Sequence, residues 1–156
     1  MTTLVTGGTG FLGRHLVGKL LDRGEDGRGL TRSYDRDLAE KGVDIVEGSL
    51  TEADDVRRAA DDVERVYHLA GKVTREPERA HEMYELHVEG TRRLLGTFVD
   101  RDIEKIVVAS TSGTVGVSKN PNDVATEDAP TKESVVSDWP YYLSKIYAER
   151  VCQKFV

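Results

Sequence analysis

Gly7, Gly10 and Gly13 recur at three-residue spacing directly after the apolar start Leu4-Val5-Thr6, and Tyr141 stands four residues before Lys145. The first pattern suits the pyrophosphate of a dinucleotide. Gly7 permits a tight turn after a strand, Gly10 lets the backbone approach the phosphates, and Gly13 lets a following helix pack closely. The N-terminus of that helix then offers free N–H groups and a partial positive charge. The plain alternative is a glycine-rich turn that holds no ligand. The spacing is not G-x-G-x-x-G, and no Lys-Ser/Thr comes after it as a P-loop would require. The second pattern suits proton transfer. Residues at i and i+4 share a helix face. A free tyrosine is a poor base at neutral pH, and a lysine ammonium beside it favours the phenolate. Alone, Tyr-x-x-x-Lys is an ordinary helix pair. Both patterns in one chain, about 130 residues apart, read as a nicotinamide-dependent oxidoreductase.

Alternating elements must position these groups. Thr3–Thr6, Arg28–Arg32, Val43–Glu47, Val63–Leu69 and Ile103–Ala109 read as strands. Phe11–Leu21, Glu52–Asp61, Pro77–Val99 and a stretch from about Tyr141 read as helices, the first with Leu12, Leu16 and Leu20 on one face. Thr51 is a plausible cap for the second helix. Gly27 and Gly29 weaken the second strand. The segment from Asn120 to Trp139, with Pro121 and Pro130, reads as a loop. This rhythm implies a doubly wound α/β fold, a parallel sheet with helices on both faces. Ligands then sit at the carboxyl ends of the strands, where the glycine turn and the hydroxyl cluster Ser110-Thr111-Ser112 both fall. A hydroxyl there can polarise a carbonyl, or simply satisfy its own turn.

The end of the second strand bears on cofactor choice. An Asp or Glu there would hold the ribose 2′-hydroxyl of NAD. The chain has Leu30-Thr31-Arg32-Ser33, and Arg32 offers a planar cation for a 2′-phosphate. NADP(H) is therefore the expected cofactor, with NAD(H) the alternative through Asp35 or Asp37. No residues are assigned to a metal.

Composition sets outer limits. The 156 residues suit one domain, and a net charge of −6 argues against a general nucleic-acid or membrane-surface role. No apolar run is long enough for a membrane span. The single cysteine, Cys152, cannot form an internal disulfide, and no signal pattern opens the chain, so a cytoplasmic protein is expected. The helical pattern Leu143, Ile146, Tyr147, Val151, Phe155 runs to the last residues without a cap, so the chain is expected to stop inside a helix and to lack any later segment.

These motifs together resemble the extended short-chain dehydrogenase/reductases, the NAD-dependent epimerase/dehydratase family. Val5-Thr6-Gly7-Gly8-Thr9-Gly10-Phe11-Leu12-Gly13 is similar to its cofactor loop, and Val66-Tyr67-His68-Leu69-Ala70-Gly71 to the fourth-strand segment that lines the cofactor. Val88-Glu89-Gly90-Thr91 resembles the N-V-x-G-T helix, and Tyr141-Tyr142-Leu143-Ser144-Lys145 with Ala148-Glu149 the Y-x-x-S-K-x-x-A-E stretch. Leu30-Thr31-Arg32-Ser33 and Ser112-Gly113-Thr114-Val115 most resemble the dihydroflavonol-4-reductase-type branch, which uses NADPH to reduce ketones. The resemblance implies a Rossmann domain over residues 1–156, lacking a C-terminal substrate-binding part, so that a non-catalytic cofactor-binding module is an alternative to an active enzyme. It implies Tyr141 as catalytic acid/base, Lys145 as its partner and ribose ligand, and Thr111 (or Ser112) as the hydroxyl residue. Thr9, Phe11, Leu12, Ser49, Leu50, Leu69, Ala70 and Gly71 would join the three glycines and Arg32 at the cofactor. The implied substrate is a small carbonyl or alcohol, or a nucleotide-sugar under the epimerase/dehydratase reading, and the long helices are those through which relatives form homodimers. The chain departs from the family at His87, which replaces Asn, and at Ser49, which replaces the acidic residue of a G-D-L segment.

Overall fold

The computed structural model describes residues 1–74 and 76–155. In chain order the elements are β1 (Thr2–Thr6), α1 (Phe11–Asp22), β2 (Asp26–Thr31), α2 (Arg36–Glu40), β3 (Asp44–Glu47), α3 (Ala53–Ala59) and β4 (Arg65–His68). Next come a 3₁₀ turn (Pro77–Arg79), α4 (Ala80–Tyr84), a π turn (Glu85–Glu89), α5 (Gly90–Thr97) and β5 (Lys105–Val108). A second 3₁₀ turn (Ser112–Thr114), α6 (Glu133–Val136) and α7 (Pro140–Cys152) complete the chain. Among the described residues, no helix is long and apolar enough to cross a membrane. The chain divides into two compact units, Met1–Gly71 with Arg93–Ala109, and Lys72–Arg92 with Ser110–Val156.

The first unit holds the sheet. Its strand order is β3-β2-β1-β4-β5, and every pairing is parallel. Side chains alternate between faces. Val5 packs with Val17 and Leu20 of α1 and with Leu38 of α2. Leu4 and Val66, one residue out of step, are fully buried on the opposite face. Arg28 also lies there and donates to the Ala59 carbonyl at the end of α3. β2 forms despite its glycines because strands pair on both sides of it. A Cβ at Gly29 would sit 3.5 Å from Ile45 Cδ1, and one at Gly27 3.8 Å from Leu21 and Val43, so neighbouring side chains approach these glycines to within ordinary contact of a methyl group.

Several boundaries differ from expectation. β2 begins at Asp26 and ends at Thr31, leaving Arg32 outside. Leu12 is 59 % exposed, and Val17 takes its place in the core. Thr51 does not cap α3; its hydroxyl pairs with Ser49 Oγ at 2.8 Å, and Glu52 holds the cap position without a side-chain bond. The apolar run of β5 is only half-buried, since β5 ends the sheet order. The expected loop contains α6, and α7 stops at Cys152, where the Gln153 N–H closes on Glu149 O. The long helix after Pro77 is interrupted by the π turn.

That turn organises the second unit. π turns insert one residue into a helix and are often found at functional sites. Here His87 is 1 % exposed. The Lys72 backbone N–H donates to His87 Nε2 at 2.9 Å, which assigns the ring proton to Nδ1. Nδ1 then donates to Ser144 Oγ at 2.8 Å, and Ser144 Oγ donates to the Tyr141 carbonyl at 2.8 Å. The Thr91 hydroxyl satisfies the His87 carbonyl at 2.5 Å. Met83, Val88, Val136, Ile146, Ala148 and Val151 are buried in the same unit.

Two stability measurements test these contacts. Gly29→Ala, at a site with room and without positive φ, is expected to raise the melting temperature, with a gain of about 0.5–1 kcal/mol from the reduced freedom of the unfolded chain. Burial, helped by the Lys145 charge, holds His87 down at about 4. The groups facing its ring are Ser144, the Lys72 amide, Tyr141 and Lys145. The unfolded chain takes up the proton near the ordinary histidine value of about 6.5, so stability is fully present above that pH and falls as pH drops toward 4. In His87→Asn the denaturant midpoint is expected to lose that part of its pH dependence.

Candidate functional site

The first unit builds a tight glycine turn, the expected phosphate cradle, from backbone. Gly7 has φ of +74°, and a Cβ there would stand 2.6 Å from Ala70 N and 2.7 Å from Leu69 C. Its glycine therefore serves the turn and also lets the Leu69–Ala70 backbone pass beside β1. Thr6 braces that approach, since Ala70 N–H donates to its hydroxyl at 3.3 Å and the same hydroxyl lies 2.6 Å from His68 Nδ1. A Cβ at Gly13 would stand 2.2 Å from Gly7 O and 2.7 Å from Gly8 Cα. Gly13 thus serves contact between α1 and its own turn, where the sequence suggested helix–sheet packing. Gly10 N–H closes the turn on Gly7 O at 3.0 Å, and a Cβ on Gly10 would lie 3.3 Å from that same oxygen.

The first turn of α1 is left ready for an anion. Gly10 occupies the cap position, no side chain caps the helix, and no acidic residue lies in its first turn. Thr9, Phe11 and Leu12 are exposed around it, Phe11 by 85 %. A bare N-terminus with its positive dipole end fits a diphosphate.

The segment after β2 distributes its charges unevenly. β2 ends on Thr31, whose hydroxyl is buried without a hydrogen-bond partner among the described residues. Arg32 is exposed and forms no ion pair among the described residues. Asp35 is already engaged. It accepts the Leu38 N–H at 3.0 Å as cap of α2 and pairs with Arg14 at 2.6 Å, and these two donors hold its carboxyl below the usual range. Asp37 is exposed, 3.8 Å from Arg14. Arg14, which also donates to Thr9 O at 3.1 Å, went unnoticed in the sequence. A cation in the first turn of α1, where the helix dipole disfavours it, was the available signal.

Ser49 and Leu50 come after β3. Ser49 N–H donates to Asp55 at 2.8 Å, its hydroxyl is used within its own turn by Thr51, and Leu50 is buried. Leu69, Ala70 and Gly71 come after β4, beside Gly7. The cradle glycines, the residues after β2 and the segments after β3 and β4 thus all lie at strand carboxyl ends of one unit.

The second unit carries Tyr141 and Lys145, the pair expected from the sequence to transfer a proton. Tyr141 and Lys145 lie one turn apart on α7, Tyr141 half-buried and Lys145 8 % exposed. Burial pushes the Lys145 ammonium below the ordinary lysine range, opposed by Cys152 and Glu149. The Tyr141 ring packs edge-on against His87, with centroids 5.8 Å apart. The hydroxyl cluster divides three ways. Ser110 donates to Glu149, the Thr111 hydroxyl accepts the Gly113 N–H at 3.3 Å, and Ser112 is exposed. Thr111 keeps its hydroxyl proton for donation while capping the 3₁₀ turn. Tyr142 went unnoticed in the sequence, although the run Trp139-Pro140-Tyr141-Tyr142 is conspicuously aromatic. A Cβ on Gly113 would stand 2.1 Å from the Tyr142 ring. Among the described residues, no cluster of three or more His, Cys, Asp or Glu could hold a metal ion.

Comparison with known proteins identifies the family and the fold. The model of the NAD dependent epimerase/dehydratase family matches residues 3–156. Sterol demethylase protein B of Methylococcus capsulatus is 37% identical over 129 residues, covering 81% of this chain and 39% of that protein. Dihydroflavonol 4-reductase of Dianthus caryophyllus is 28% identical over 172 residues, covering 99% and 47%. This chain thus spans less than half the length of these curated relatives. The crystal structure of UDP-glucose 4-epimerase from Thermus thermophilus, in complex with NAD, superposes with a TM-score of 0.83 at 28% identity, covering 99% of this chain and 50% of that one. A bare glycine cradle on a parallel sheet, a Tyr/Lys pair on the last helix and a family match across nearly every residue lead to one assignment: the chain belongs to the NAD-dependent epimerase/dehydratase family of short-chain dehydrogenase/reductases.

Proposed function

We propose that this chain carries the cofactor-binding and proton-transfer residues of an NADP(H)-dependent oxidoreductase that interconverts a ketone or aldehyde and its alcohol. The observation that carries this reading is the presence in one family member of an uncapped glycine turn and a Tyr141/Lys145 pair one helical turn apart, with Lys145 buried. The cofactor, when bound, supplies or accepts the hydride. Gly7, Gly10 and Gly13 hold the diphosphate at the N-terminus of α1, with Thr9, Phe11 and Leu12 around it, while Ser49, Leu50, Leu69, Ala70 and Gly71 line the remainder.

The preference for a 2′-phosphate is supported by three features together. β2 ends without a carboxylate, Asp35 is spent on Arg14 and the cap of α2, and Arg32 stands exposed beside the unpartnered Thr31 hydroxyl. In the reducing direction the Tyr141 phenol gives its proton to the oxygen of the substrate, and solvent restores that proton. Lys145 favours the phenolate and holds the nicotinamide ribose. Thr111 donates to the substrate oxygen, and Ser112 is the alternative because it is exposed one residue further on. A positioned acid contributes about 10²–10⁴-fold to rate.

The solved relative in complex with NAD supports a second reading. In it the same residues serve a nucleotide-sugar epimerase or dehydratase that retains NAD. Consumption of added NADPH with a ketone separates the two.

In the polypeptide encoded by the whole reading frame that contains this sequence, Tyr141→Phe is expected to bind NADPH normally and lose turnover by at least about 10²-fold. Retained turnover rejects the role of Tyr141. Thr111→Val and Ser112→Ala, assayed side by side, identify the hydroxyl residue by which of them loses turnover.

A further inference from the structure

Arg14 joins two segments of the first unit, the glycine turn and the residues after β2. Its Nε–H donates to the Thr9 carbonyl in the turn at 3.1 Å. Its two Nη groups meet the Asp35 carboxylate after β2, at 2.6 and 3.4 Å. The position is a poor one for a cation, because the positive end of the α1 dipole lies beside it and no acidic residue shares that turn. Asp35 supplies the missing compensation. The pair has the bidentate form, and the Asp35 side chain is only 14 % exposed within it.

Asp35 does not need Arg14 to hold its place. Its carboxylate accepts the Leu38 N–H at 3.0 Å and its carbonyl the Ala39 N–H at 3.1 Å, so α2 keeps its cap with or without a guanidinium. Among the described residues, Arg14 is the one cation that pairs with Asp35, since the adjacent Arg36 turns to Glu40 at 2.7 Å. Loss of Arg14 would therefore leave a fixed, uncompensated carboxylate shortly after the end of β2. A carboxylate in that segment accepts a ribose 2′-hydroxyl and repels a 2′-phosphate. Arginine keeps its proton throughout the range in which proteins are folded, so Asp35 stays neutralised there.

Resting on the NADP(H) reading above, we infer that Arg14 governs nucleotide choice by neutralising Asp35, the carboxylate that would otherwise favour NAD(H). Arg32 then supplies attraction for the 2′-phosphate, and Arg14 removes a repulsion. Arg14 acts through Asp35 and needs no contact with the nucleotide.

Isothermal titration of the chain with NADPH and with NADH gives the ratio of the two dissociation constants. Arg14→Met is expected to move that ratio at least about tenfold toward NADH, by weakening NADPH while NADH binds at least as tightly as before. In the double variant Arg14→Met/Asp35→Asn, where asparagine still caps α2, the ratio is expected to return to the wild-type value. Arg14→Lys, which keeps the charge, is expected to hold it there throughout. Arg14→Gln supplies the same reading should the methionine variant melt below the assay temperature. An unmoved ratio, equal weakening of both nucleotides in a variant that melts like the wild type, or a shift that survives Asp35→Asn each overturns the inference. The last of these would mean that Arg14 touches the 2′-phosphate itself. The wild-type ratio tests the underlying reading separately. No preference in the wild type removes the role of Arg32, while the shift in Arg14→Met still decides that of Arg14.

Discussion

The close approach of backbone to backbone at the β1–α1 turn governs the first unit. Gly7 must turn with positive φ and also let the residue 69–70 backbone pass within contact distance. Gly13 must present no side chain to the Gly7 carbonyl. Any Cβ at either place collides with main-chain atoms, which cannot rotate away as a side-chain tip can. Because both positions are glycine, α1 starts immediately beyond the carboxyl end of the central strand. Its first turn is open, with no capping side chain and no neighbouring carboxylate. The open first turn of α1 is a consequence of that packing.

The second unit relies on a chain of hydrogen bonds in place of glycine packing. The Lys72 amide fixes the proton of His87 on Nδ1, His87 holds Ser144, and Ser144 holds the Tyr141 carbonyl. A π turn is what turns His87 into the interior, and Thr91 satisfies the carbonyl of His87 itself. The arrangement ties the first turn of α7, and so the backbone of Tyr141, to the helix that carries His87. Ser144 and Lys145 are buried within it, so the inward side of α7 includes two polar side chains.

Much of this was legible in the residues. The parallel sheet could be read from alternating apolar runs and helical stretches, and the glycine spacing identified the turn before α1. The Tyr/Lys spacing put both side chains on one helix face. Other features depended on tertiary contacts. β2 looked weak because of Gly27 and Gly29, yet Leu21, Val43 and Ile45 pack close beside those residues. Thr51 had the right chemistry for a cap, but Ser49 captured its hydroxyl. The role of His87 lay in two bonds, one to a backbone amide 15 residues earlier and one to Ser144, 57 residues later, and no local pattern encodes either. Asp35 looked available to a ribose until Arg14, 21 residues away, proved to hold it.

The proposed preference for NADP(H) rests on the open turn before α1 and on Arg32 after β2. Isothermal titration of the chain with NADPH and with NADH, repeated on Arg32→Ala, tests it most directly. NADPH is expected to bind at least about tenfold more tightly than NADH, and Arg32→Ala to remove that difference while leaving NADH affinity unchanged. Equal affinity for the two in the wild type, or a preference that survives loss of Arg32, would contradict it.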